Sequence, residues 1–120
     1  MITDIGINLM RDLLCGESTA SIINAGLGTD DTPPTEDDTG LNSNTNLGTT
    51  GTDLAITHST TDRQVLFEYT LPSTEANGNT FTEFGLNNGV ILFNRQTFYD
   101  LVKDASKEIN ISLVIRVIPE

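Results

Sequence analysis

The sequence predicts a mainly β fold: an antiparallel β-sandwich with one short N-terminal helix and a long acidic loop or arm rich in Thr, Asn and Pro. Three observations predict it. Segments whose apolar residues alternate with period two follow one another from residue 53 to 118. The pairs Asn77-Gly78 and Asn88-Gly89 are tight-turn signals between such segments. Thr occurs 18 times and Asn 11 times against 2 Lys, a usage that suits strands joined by polar turns.

A length of 120 residues bounds one domain, 1–120. The helix spans about 3–15: Thr3 or Asp4 is the N-cap, and Ile5, Leu9 and Leu13, with Met10 and Leu14, keep helical spacing. Gly6 weakens it by about 1 kcal/mol relative to Ala, and Gly16 sits where a C-terminal glycine belongs. A strand follows within Ser21–Thr29. From about 30 to 51 only Leu41 and Leu47 are large and apolar. An irregular stretch of that length inside a compact domain is unusual, and either it has a role or it wraps over the surface as an arm. The remainder, about 53–118, is hairpin-linked: Asp53–Ser59, Gln64–Leu71 (closed by Pro72), Thr80–Leu86, Val90–Gln96 and Glu108–Ile118, with Phe98–Lys107 as a connection. The last run carries Ile109, Ile111, Leu113, Ile115 and Val117 on one face. This densest apolar stripe predicts a central strand.

Charge narrows the partners. With 6 Lys+Arg against 17 Asp+Glu the net charge is -11, which argues against nucleic acid and anionic membranes as partners. Neither a signal peptide nor a membrane span is expected. An acidic, Lys-poor surface also suits a very salty solution, where screening removes self-repulsion. The single Cys15 excludes an intrachain disulfide framework and a Cys-based zinc cluster.

Few residues point to chemistry. His58 is the one histidine, and no nucleophile-elbow frame surrounds it, so it reads as a polar residue at a strand end. Cys15 lies at the wrong end of a helix for a thiolate and reads as a small buried hydrophobe. Asp30, Asp31, Glu36, Asp37 and Asp38 cluster in the loop. Hard cations such as calcium take loop carboxylates, which makes Asp30, Asp31, Asp37 and Asp38 the candidate metal ligands. The pattern lacks the closing Glu of a calcium loop, and no cofactor is expected. Asp38-Thr39 is equally a structural pair, its carboxylate fixing the loop through backbone N–H groups. Asn110-Ile111-Ser112 matches a glycosylation sequon inside a predicted strand and reads as chance.

The order of segments resembles small tail-fibre and baseplate-type structural proteins of tailed viruses. Thr3, Gly6, Arg11 and Leu14 carry the helical start, IINAGLGT the following strand, and Asp38-Thr39-Gly40-Leu41 the close of the loop. EANGNTFTEFGLNNGVILFNR matches the hairpin pattern at Gly78, Glu83, Gly85, Leu86, Leu92 and Arg95. KDASKEINISLVIRV matches the final strand, with Leu113 where an aromatic is common. Within the hairpin, Gly85 permits close approach of another chain segment. Glu83 and Arg95 on neighbouring strands form a pair worth about 0.2–1 kcal/mol if exposed.

The resemblance implies a non-enzymatic virion component, possessing no cofactor. It implies a homo-oligomer, a trimer, in contact with other virion proteins, and the acidic composition suggests a virus of a halophilic host. The arm 30–51 would then lie across a neighbouring subunit or partner. The alternatives are a capsid decoration, turret or spike protein, and a carbohydrate-binding receptor-recognition module. The latter is disfavoured by the absence of Trp and by the assignment of Tyr69, Tyr99 and the five Phe to the core. A hydrolase built on His58 is the distant rival.

Overall fold

The computed structural model describes residues 1–45 and 54–118. It is mainly β, with two antiparallel sheets and one N-terminal helix. In chain order the elements are α1 (Asp4–Cys15), β1 (Asn24–Gly28), β2 (Leu54–Ala55), β3 (Thr57–Thr61), β4 (Gln64–Leu71), β5 (Thr80–Asn87), β6 (Leu92–Val102) and β7 (Ile109–Arg116). One sheet has the order β2-β1-β5-β6, the other β3-β4-β7.

The helix begins where a cap is available. Thr3 is extended, and its Oγ1 accepts from Gly6 N at 3.0 Å. Gly16, at φ 79, ends it in the left-handed conformation. Leu9 is buried. Gly6 has a reason beyond propensity: a Cβ there would stand 2.2 Å from Phe93 O, so glycine lets α1 lie directly on β6. Leu14 is 90% exposed and lies off the packed face, and Cys15 is an exposed free thiol rather than a buried hydrophobe.

The core fills the space between the sheets. Ala25 and Leu27 of β1, Phe67, Tyr69 and Leu71 of β4, Phe84 and Leu86 of β5 and Ile109 of β7 belong to one buried cluster. The alternation in β4 and β7 follows from one face on this core and one in water.

Four predicted features differ. The expected strand Asp53–Ser59 is split: β2 ends at Ala55 and β3 starts at Thr57, so the chain changes sheets at Ile56. Asn77-Gly78 closes no hairpin, because β4 and β5 lie in different sheets. Instead Gly78, at φ 90, donates its N–H to Lys103 O at 2.9 Å. β6 runs on to Val102, through what reads as a connection, with a register shift opposite Phe81–Glu83. The central strand is β5, between β1 and β6, whereas β7 ends its sheet. The apolar stripe of β7 marks one covered face, while β5 is buried on both faces and spends one of them on polar residues. Asn88-Gly89 does join β5 to β6, with Gly89 at φ 96.

Candidate functional site

The described part of the acidic loop has no helix or strand from 30 to 43, and it lies on its own sheet. Glu83 of β5 and Arg95 of β6 hold it there. Neighbouring antiparallel strands put both side chains on the face opposite the core: Arg95 is the register partner of Gly85, two residues from Glu83. Both side chains are fully buried, and Arg95 Nε donates to Glu83 Oε1 at 3.0 Å.

The remaining hydrogen-bonding capacity of the pair goes to the loop. Glu83 Oε1 also accepts from Asn42 N at 2.8 Å, while Oε2 accepts from Asp30 N at 3.0 Å and Ser43 N at 2.8 Å. Arg95 Nη1 donates to Thr32 O at 2.9 Å and Asp38 Oδ2 at 3.3 Å, and Nη2 to Asp30 Oδ1 at 3.4 Å. A buried carboxylate and guanidinium are tolerated on these terms, paired and supplied with further partners. Two glycines make room. A Cβ on Gly28 would stand 2.6 Å from Glu83 Oε2, and one on Gly85 would stand 2.7 Å from Asn94 O and 3.0 Å from Leu41 Cδ2. The pair expected from sequence is formed, and it is buried, a clamp on the loop.

The loop acids are tuned by the same contacts. The side-chain and backbone hydrogen bonds of Thr32, then that of Asn42 and the charge of Arg95, hold Asp30 below its ordinary value of 3.8. For Asp38 burial pushes upward, but hydrogen bonds from Thr35 N and Oγ1 together with Arg95 outweigh it and bring the carboxyl below 3.8. Asp38 thus ties Thr35 N (3.0 Å) to the guanidinium, with Thr39 exposed beside it.

Of the candidate residues, Asp30, Asp38, Glu83, Gly85 and Arg95 come together in this cluster. Gly78 stands apart, in the 72–79 connection. Asp31 and Asp37 are exposed, and Asp30 and Asp38 meet a guanidinium rather than each other. Among the described residues no group of three or more His, Cys, Asp or Glu is placed to hold a metal ion. His58 is exposed on β3, its ring edge-on to Phe67 at 6.5 Å. The segment 30–45 covers its own sheet rather than reaching away from it, and residues 46–51 of the expected arm lie outside the described residues.

Two features escaped the sequence. Lys103 is fully buried, its Nζ donating to Asn77 Oδ1 at 2.7 Å and Asp104 O at 3.2 Å, so it pins the 72–79 connection as Arg95 pins the acidic loop. Its signal was faint: one of two Lys, just beyond an apolar run. Tyr99 is 97% exposed, not a core residue, and with Asp31, Thr97 and Phe98 it lines a shallow depression. Comparison with known proteins finds no matching family model, no matching curated sequence and no matching solved structure.

Proposed function

We propose that this chain is a non-catalytic structural subunit that assembles with copies of itself, of the kind that builds tail-fibre or baseplate parts of tailed viruses. One observation carries the assembly reading. β7 is eight residues long, with an apolar stripe and one charge, and it ends its sheet with no described strand on its far side. A solitary protein normally blunts such an edge. The buried charges support the same reading, since Glu83, Arg95 and Lys103 spend their hydrogen bonds on holding loops to the sandwich. The viral setting rests on the segment order from Thr3 to Val117 and makes the chain a virion component.

The test is the native mass, by sedimentation, at molar and at low salt, together with mass spectrometry of purified particles. A defined oligomer that is also a particle component supports the reading, and a monomer at both salts contradicts it. A second reading, a carbohydrate-binding tip, is favoured by Tyr99, exposed beside Asp31 and Thr97. It predicts glycan-array binding that Tyr99→Ala abolishes, and an array without signal ends it.

A further inference from the structure

We propose that β7 is the seam along which two copies of this chain pair, antiparallel, about a two-fold axis at Ser112. This rests on the assembly reading above and specifies its interface, a two-fold pair in place of the trimer that the resemblance implies.

The edges of the two sheets are not equivalent. β2 has two residues, and β3 has five, all exposed and polar. Part of the β6 edge is occupied by its own chain, through the Ile2–Asn94 bridge and the Arg95 N to Met1 O bond at 2.9 Å, and β6 is irregular opposite Phe81–Glu83. β7 pairs with β4 in unbroken register from Ile109 to Arg116, without Pro, Gly or a bulge. At the same margin a mainly apolar groove of about 300 Å³ opens between the sheets, lined by Phe84, Phe98, Leu101, Ile109 and Ile111 together with three polar residues, Ser112 among them.

Charge selects a second copy and its register. Each chain carries -11, so copies repel except where the contact is neutral or complementary. β7 is neutral from Ile109 to Ile115 and is flanked by Glu108 and Arg116. Both residues are exposed: Glu108 directly precedes the strand, and Arg116, its last residue, shares the outer face with Ser112 by the period of two, its guanidinium donating to Gln64 Oε1 at 3.0 and 3.3 Å. Pairing centred on Ser112 sets Glu108 opposite Arg116 of the partner subunit, and by symmetry does so twice. It also sets Ile111 opposite Leu113 of the partner subunit and Ile109 opposite Ile115 of the partner subunit. Centring the pair one residue earlier or later sets Glu108 opposite Val114 or Ile118 of the partner subunit and loses both charge pairs. Opposite charges directly across an antiparallel pair stabilise it, and like charges do the reverse. Two three-stranded sheets thereby become one of six strands, with the apolar stripe continuous across the seam.

The test is cysteine trapping at molar salt in a Cys15→Ser background, with the oligomer mass measured alongside. Residues directly opposed in an antiparallel pair have Cα atoms about 4.5–5.5 Å apart, within disulfide range. Ser112→Cys is expected to give a covalent dimer on mild oxidation. Val114→Cys, on the same face but offset from its own copy by about 14 Å, is expected to remain monomeric on a reducing-agent-free gel. Equal cross-linking at both positions, or none at either while sedimentation shows an oligomer, overturns the β7 seam and leaves self-assembly standing. A monomer by sedimentation at every salt concentration overturns both.

Discussion

At the scale of single residues, Glu83 and Arg95 hold the acidic loop to its sheet. Breaking a buried ion pair from one side leaves the other charge uncompensated, at a cost of about 3–5 kcal/mol. In Arg95→Met the Glu83 carboxylate keeps three backbone donors but no cation, and Asp30 and Asp38 lose theirs. Urea denaturation of Arg95→Met is expected to show a loss of that order, and a loss under 1 kcal/mol would show that the clamp does not hold the loop. The loop acids give a pH signature. Asp30 and Asp38 have folded values below 3.8, so their contribution is complete above the unfolded value and disappears as pH falls through the lowered ones. Thermal stability is therefore expected to be level from neutral pH to about 5 and to drop below 3.8, less steeply in Asp38→Asn. The Glu83–Arg95 pairing was legible because residues 83 and 95 flank an Asn-Gly turn on adjacent strands. Their burial was not. Burial depends on the acidic loop folding back over them, and no local pattern encodes that. Nor does a local pattern tell that Cys15 and Tyr99, both apolar enough for a core, are exposed.

At the scale of elements, glycines mark where one element rests on another. Gly6→Ala would gain about 1 kcal/mol of helix propensity. It would also place a Cβ 2.2 Å from the backbone of Phe93, and such overpacking costs about 1–3 kcal/mol. Since the neighbour is a strand backbone rather than a flexible side chain, the clash wins. Thermal denaturation is expected to show a lowered midpoint for Gly6→Ala, whereas a raised midpoint would mean that α1 does not sit on β6. Helix, strands and alternation were legible because each is a local period. Which strand is central was not, because β5 hides Thr82, Glu83 and Gly85 as completely as β7 hides Ile109. Nor was the change of sheet at Ile56 legible: the run from Asp53 to Ser59 alternates too weakly to mark a break.

At the scale of the whole molecule, net charge and edge chemistry oppose each other. Two chains of -11 repel at low ionic strength. At about 1 M salt the screening length falls to about 3 Å, which removes that repulsion while leaving apolar contacts and backbone hydrogen bonds across a seam. Association is therefore expected to strengthen as salt rises from 0.1 M to molar, the reverse of an interface held by long-range attraction. The most direct measurement is amide hydrogen exchange along β7 as a function of protein concentration at molar salt. Self-assembly through this edge predicts that protection within Ile109–Arg116 rises with concentration while exposed β3 stays unchanged. Exchange in β7 that is rapid and independent of concentration, in step with β3, would contradict it.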